Sequence, residues 1–272
     1  METTTFAATD GFPHTALVGV TGPEETLAVQ GDPRAVLPLA SVTKPLTAWG
    51  VLVAIDHALI DLDDPAGPAG ATVLDLLDHT SGLPMEGSEP QKAPGERRIY
   101  SNVGFDVLAA HVADAVGMDF ADWMRREVTL PLGMAQTDVT GRPSAGARSS
   151  IEDLLTFGRE VLRPTLIPAA LRDLALAVSH PGLHGIVPGY GAYADNQWGL
   201  GFELKGAKTP HWLSDTLSPE TAGHFGALGS LLFIDRSHDI AAAFLSGVPF
   251  GEEHKRIWPP LTEEIVARYG RG

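Results

Sequence analysis

Ser41 and Lys44 stand three residues apart in "PLASVTKPLTAWGVLVAIDHALIDLDDP". A serine hydroxyl is a poor nucleophile until a base takes its proton, and a desolvated lysine amine is one group that does so. Residues three apart on a helix share a face, which puts the Lys44 amine within reach of the Ser41 hydroxyl. Pro45 marks where such a helix begins: lacking an N–H, proline is tolerated only in the first helical turn, so the helix starts close to Ser41. The positive end of the helix dipole then favours an oxyanion at the serine. The same letters also describe a serine that caps a helix, followed by a solvated lysine. The apolar surroundings and the scarcity of lysine elsewhere in the chain favour the reactive reading.

Two more groups of residues carry potential chemistry. Tyr100-Ser101-Asn102 in "PGERRIYSNVGFDVLAAHV" precedes a helical pattern, where taken alone Asn102 reads as a plain N-cap and Tyr100 as a core aromatic. "GHFGALGS", Gly223 to Ser230, stands ahead of a strand expected over Leu231 to Ile234. Closely spaced glycines there allow a backbone to approach a ligand, or simply punctuate a hairpin. Arg97-Arg98, just before Tyr100, suit an anionic substrate or a structural ion pair. His180 and His184 are four apart, but Pro181 and Gly182 break any helix that would align them, and there is no His-Glu-x-x-His. No metal is expected. "GLGFELKG" and "PGYGAYAD" lack a strand-to-helix Gly-x-Gly-x-x-Gly frame and read as strand and turn, so no nucleotide cofactor is expected either.

The elements that must position these residues follow from patterning. "TALVGVTG" and "TLAVQGD" read as a hairpin around Gly22-Pro23-Glu24, and Val42 to Ile60 as a strongly apolar helix. Helical stretches then succeed one another: "TVLDLLDHTSG", "NVGFDVLAAHVADAVG", "DFADWMRREVTLPLG", "SIEDLLTFGREVL" and "PAALRDLALAV". Strands return in "WGLGFELKG", "HFGALGSLLFID" and "DIAAAFLSGV", before a last helix from about Glu252 to Tyr269. Strands at both ends with helices between predict an α+β fold: an antiparallel sheet flanked by helices and built from both termini, with an inserted all-helical domain. The expected boundaries are residues 1–62 and 195–272 for the sheet domain and 63–194 for the insert.

Composition narrows the function classes. The chain has 272 residues, 44% of them hydrophobic, enough for a large core. A net charge of −15 repels phosphate polymers, so nucleic acid is not an expected partner. No segment approaches the roughly 20 apolar residues of a membrane span. "METTTFAATDGFPHT" has neither a basic head nor an apolar stretch with a cleavage site, so export is not expected and a cytoplasmic location is the expectation. The absence of cysteine excludes disulfides, thiolate chemistry and Cys-ligated zinc.

Taken together, Ser-x-x-Lys at a helix start, Tyr-x-Asn about sixty residues later and His-x-Gly on a late strand resemble the serine β-lactamase and penicillin-binding protein superfamily. Within it the chain looks most like the class C β-lactamase-related branch, which includes esterases and D-amino-acid peptidases; "LLDHTSGLP", "APGERRIYSNVGF" and "LPLGMAQT" are similar to phrases of that branch. The resemblance runs from about Leu17 to Gly247. It implies Ser41 as the acylated nucleophile, Lys44 as its proton-handling neighbour, and Tyr100 as the relay to the leaving group. It further implies that Asn102 hydrogen-bonds the Lys44 side or a substrate carbonyl, and that the backbone N–H groups of Ser41 and Ala227 form an oxyanion hole. His224, Phe225 and Gly226 occupy the third motif, where the antibiotic-hydrolysing relatives usually have Lys-Thr-Gly. A neutral imidazole and a phenyl ring make a weaker anion site than lysine and threonine. The expected enzyme is therefore a cofactor-free serine hydrolase, esterase-like, acting on small neutral or apolar esters, with Trp198, Trp212 and Phe225 as candidates to line the pocket or the core. The alternatives are a D-amino-acid peptidase, amidase or weak β-lactamase, and a non-catalytic binding member of the fold.

Overall fold

The computed structural model describes residues 2–271. Eleven strands appear among them, in chain order β1 (Glu2–Thr3), β2 (Leu17–Thr21), β3 (Thr26–Gln30), β4 (Leu37–Pro38), β5 (Arg148–Ser149) and β6 (Gly185–Val187). β7 (Gly191–Tyr193), β8 (Glu203–Leu204), β9 (Ala222–Gly226), β10 (Ser230–Asp235) and β11 (Ile240–Leu245) complete them. The α-helices are α1 (Thr43–Asp56), α2 (Val73–Leu77), α3 (Asn102–Val116), α4 (Phe120–Met124), α5 (Ile151–Leu162), α6 (Ala169–Ala175) and α7 (Glu252–Tyr269).

One seven-stranded sheet, ordered β1-β3-β2-β11-β10-β9-β8, draws its strands from both ends of the chain. Its pairs are antiparallel except at one edge, where the short β1 runs parallel to β3. The central strands are buried on both faces. Every residue of "SLLFID" in β10 and "IAAAFL" in β11 is buried, which is why these strands read as continuous apolar runs and not as alternating ones.

Successive side chains point to opposite faces and feed two cores. Leu232 and Ile234 of β10 join α1, α3 and α5, whereas Leu231 and Phe233 join Ile257, Trp258, Leu261 and Ile265 of α7. The first face is held close by small residues. A Cβ on Gly19 of β2 would fall 2.4 Å from the Ile151 side chain, and one on Gly158 of α5 would fall 2.8 Å from Ala241. Through these contacts α5, which lies inside the 63–194 segment, packs on the sheet.

α1 runs between the sheet and the other helices with all but its last two residues buried. Trp49 donates from Nε1 to Glu160 at 3.2 Å, and Thr47 donates to the Pro143 carbonyl at 2.6 Å. The helix is shorter than the apolar run suggests, because the chain turns after Asp56 with Ala58 at φ 54°. "DFADWMRREVTLPLG" likewise gives only one α-helical turn before passing into a π-turn over Arg125–Thr129. Among the described residues, no helix is long and apolar enough to cross a membrane.

Candidate active site

Ser41 occupies a single 3₁₀ turn, Ala40–Val42, that leads into α1. Ala40 has φ 45°, a left-handed conformation that costs a non-glycine residue energy and persists only where neighbours over-determine it. They do so here. Thr43 Oγ1 donates to the Ala40 carbonyl at 2.6 Å, and Ser230 Oγ donates to the Leu39 carbonyl. Gly226 of β9 lies against the same turn, where a Cβ would fall 2.4 Å from the Leu39 carbonyl oxygen and 2.3 Å from Ser230 Oγ. The third motif is itself strand, β9, and not the approach to one; its glycine lets the strand touch the serine turn.

The helix-cap reading of Ser41 does not survive, since the N-cap of α1 is Val42 and no side chain caps it. Nor is Lys44 solvated: its exposure is 0%. Its Nζ donates to Asn102 Oδ1 at 2.6 Å and to the Ser144 carbonyl at 2.8 Å, and lies 3.5 Å from Ser41 Oγ. It also stands 4.6 Å from the centre of the Tyr100 ring. Burial pushes the Lys44 pKa well below its ordinary value, and Arg142 adds to this, while Asp106 and Glu86 oppose it. A neutral amine has two protons and one lone pair. With the protons held by Asn102 and Ser144, the lone pair is left for the direction of Ser41.

Asn102 is free for this because Ser101 caps α3, its Oγ accepting from Gly104 N–H at 2.8 Å. The far side of the Asn102 amide donates from Nδ2 to Glu86 at 2.8 Å. Glu86 in turn accepts both ends of the Arg142 guanidinium, at 2.8 and 2.9 Å, and Arg142 Nε donates to Asp106 at 2.7 Å. These bonds from Arg142 and Asn102 lower the Glu86 pKa to about 2. The Glu86–Arg142–Asp106 clamp went unread in the sequence, where three charged residues in separate segments carry no common spacing.

Tyr100 lines the cavity beside Ser41. Burial raises its pKa, and the neighbouring Ser41 hydroxyl acts in the opposite direction. The phenol is therefore protonated at neutral pH. His79 also went unread: its Nδ1 accepts from Ser101 N–H at 3.1 Å, and its ring lies 4.8 Å from that of Tyr100 and 4.6 Å from that of Trp198. The nearest sequence signal was its place in "LLDHTSGLP".

His224 is buried and donates from Nδ1 to the Phe225 carbonyl at 2.7 Å, which leaves Nε2 as the bare nitrogen. Burial and the nearby Lys44 lower its pKa to about 3, so it is neutral at pH 7. Phe225 packs 5.0 Å from Phe250 and 5.6 Å from Tyr190 and still lines the cavity. Ala227 reaches the cavity through the turn after β9; its carbonyl accepts from Phe250 N–H at 2.9 Å, while its own N–H has no partner among the described residues.

These residues surround a cavity of about 140 Å³, walled by Ser41, Tyr100, Trp198, His224, Phe225 and Ala227, with Val187, Pro188 and Phe250 at its rim. Trp212 is not among the walls. It is buried and donates to Glu203, a carboxylate that also meets Lys208 at 3.0 Å and His211 at 3.1 Å. Burial acts to raise the Glu203 pKa, but those three partners outweigh it and hold the group ionised. Arg98 likewise serves the framework: it is buried against Asp78 at 3.3 Å and donates to the Ser179 and His180 carbonyls. Asp75, Asp78 and His180 lie close enough together to hold a cation, but the Arg98 guanidinium already fills that role.

Comparison with known proteins gives the family. The family model described as Beta-lactamase matches residues 8–266. The structure of a beta-lactamase from Mycobacterium bovis is 42% identical and superposes with a TM-score of 0.94, covering 96% of this chain and 97% of that one. Penicillin-binding protein 4* of Bacillus subtilis is 31% identical over 38% of this chain and 30% of its own. The D-alanyl-D-alanine-carboxypeptidase/endopeptidase AmpH of Escherichia coli is 28% identical over 50% of this chain and 44% of its own. The chain thus spans less than half the length of either of these two relatives.

Proposed function

The chain belongs to the beta-lactamase family, and from that premise we propose that it is a serine hydrolase that forms an acyl-enzyme on Ser41 and acts on small neutral or apolar esters. The observation that carries this reading is the Lys44 amine, wholly buried, with Asn102 and Ser144 as its acceptors and Ser41 Oγ as its remaining neighbour.

In the acylation step Ser41 Oγ attacks the ester carbonyl as its proton passes to Lys44 Nζ. The oxyanion that develops is met by the N–H groups of Ser41 and Ala227, and losing one such donor costs about 3 to 4 kcal/mol of transition-state stabilisation. Collapse breaks the bond to the alkoxide, which leaves as the alcohol with a proton delivered through Tyr100. Water then attacks the acyl carbon, giving up a proton to Lys44 Nζ; the acyl C–Oγ bond breaks, that proton returns to Ser41 Oγ, and the acid departs. Tyr100 suits the delivery of a proton better than its removal, because a phenol with a raised pKa holds its proton at neutral pH.

The cavity supports the substrate class. Trp198, Phe225, Val187 and Phe250 present apolar surface, and the third-motif side chain is a neutral imidazole, so nothing beside Ser41 balances a carboxylate. The likeness to AmpH supports a second reading, a peptidase or amidase built on the same residues. Intact-protein mass spectrometry after exposure to a fluorophosphonate, a p-nitrophenyl ester and a penicillin separates them, with Ser41→Ala as control. One adduct on Ser41, rapid ester turnover and slow penicillin acylation are expected. No adduct from any probe overturns the hydrolase reading, and preferential penicillin acylation favours the peptidase.

A further inference from the structure

A second groove continues from the Ser41 cavity, sharing Met85, Tyr100 and Pro188 with it. Ile99 and Ile186 add apolar surface, and the polar groups along it are Gln91, Arg97 and Arg98. The two arginines differ in what they already hold. Both Nη groups of Arg98 are engaged, by Asp78 and by the Ser179 and His180 carbonyls, and only its Nε is without a partner. Arg97 has no hydrogen-bond or ion-pair partner among the described residues, and its Nε is buried with none. Neighbouring Lys92 is neutralised by Glu96 at 2.6 Å, which leaves Arg97 as the groove's one uncompensated cation among the described residues.

An unpaired, partly desolvated guanidinium is costly to maintain and is a fork that fits a carboxylate through two parallel N–H···O bonds. The net charge of −15 gives the molecule no general attraction for anions, so any such recognition acts at short range. A single guanidinium also matches a single negative charge.

We propose that this groove binds the far end of the substrate: an aliphatic arm passes over Tyr100, Met85 and Pro188 and ends in a carboxylate that pairs with Arg97. The ligand class is an ω-carboxyacyl ester, the half-ester of a dicarboxylic acid, with its neutral ester group at Ser41 and its charge held at a distance. This deepens the esterase reading and rests on it for the reacting end alone.

The test compares kcat/KM for p-nitrophenyl half-esters of straight-chain dicarboxylic acids with p-nitrophenyl esters of the matching monocarboxylic acids, across a series of chain lengths. The expected result is an optimum length at which the acidic ester is favoured, with the acidic-to-neutral ratio falling about tenfold in Arg97→Gln, mostly through KM, and partly recovered in Arg97→Lys. A ratio unchanged by Arg97→Gln at every length overturns the proposal. Failure of the Ser41 reading shows differently, as no turnover of either ester. Arg97 is then read alone by NMR: in Ser41→Ala, titration with suberic acid monoamide is expected to shift the Arg97 Nε–H resonance saturably and suberamide is not, and no shift with the acid overturns the subsite.

Discussion

Asn102 accepts from Lys44 Nζ through Oδ1 at 2.6 Å and donates from Nδ2 to Glu86 at 2.8 Å, so the orientation of the amide that holds the lysine is set from outside the cavity. A carboxylate only accepts, and it therefore fixes which end of the amide faces inward. The buried amine then meets a carbonyl-type oxygen and no negative charge in direct contact, which is the condition that keeps its pKa depressed.

Replacing Asn102 by Asp reverses that condition. A carboxylate against Nζ raises the Lys44 pKa, and because the neutral amine is the base, the limb of kcat/KM that rises with pH moves to higher pH. At pH 7 the variant is expected to lose about 10- to 100-fold, with part of the loss recovered by pH 9. A loss equal at both pH values would argue for a geometric defect instead.

Glu86→Gln tests the outer clamp. The Glu86 side chain is 58% exposed and that of Arg142 41%, so the ion pair adds little to stability. Its effect is on position: without the charge, Arg142 loosens, and the Asn102 amide faces a group that can donate as well as accept, so its orientation is no longer fixed. A fall of about tenfold in kcat with a change of less than about 0.5 kcal/mol in unfolding free energy is expected. Chemical denaturation read beside the kinetics separates the two effects.

Gly226→Ala should damage both fold and site. The added methyl meets a backbone oxygen, that of Leu39, and Ser230 Oγ, which itself holds the same carbonyl. Relief requires β9 to retreat from the Ser41 turn, carrying Ala227 with it. A loss of about 1 to 3 kcal/mol in stability is expected, together with slower acylation of Ser41 by a fluorophosphonate. Acylation at the wild-type rate would show that the β9 contact does not position the oxyanion donors.

The fold was legible because its signals are local and strong. β10 and β11 are uninterrupted apolar runs and Pro45 marks the start of α1, whereas the cap of α3 is Ser101, one residue before the Asn102 that the sequence offered. The inward residues Ser41, Lys44, Tyr100 and Asn102 were legible as motifs, and the structure brings them together. What supports them was not legible. Glu86, Arg142 and Asp106 meet only through tertiary folding, and neither their types nor their spacing distinguishes them from solvated charges. Arg97 and Arg98 show the same limit, since adjacent identical residues acquire opposite fates from the direction in which each points. Trp212 and Trp198 do so as well: both are buried, yet only Trp198 faces the cavity.

Acid should unfold the protein through its buried histidines. Burial lowers the pKa of His79 and His211, and that of His224 to about 3, whereas the unfolded chain titrates near the ordinary value of 6.5. Below that value the unfolded state binds protons that the folded state refuses, so stability is full above about pH 6.5 and declines as pH falls toward 3, by up to about 1.4 kcal/mol per pH unit for each such group. His180 works in the opposite sense: its hydrogen bond to Asp78 raises its pKa, so its contribution is complete once pH has fallen to about 6.5 and is lost as pH rises through the raised value. His254 is lowered as well, to about 4, so four lowered groups give a net loss below pH 6.5, where His180 adds nothing further. Urea denaturation at pH 7.5, 6 and 5 is expected to show a falling midpoint, with a shallower fall in His79→Gln, which keeps an acceptor for the Ser101 N–H and removes one titrating group. A midpoint that stays level from pH 7.5 to 5 would mean that these histidines accept protons without leaving the fold.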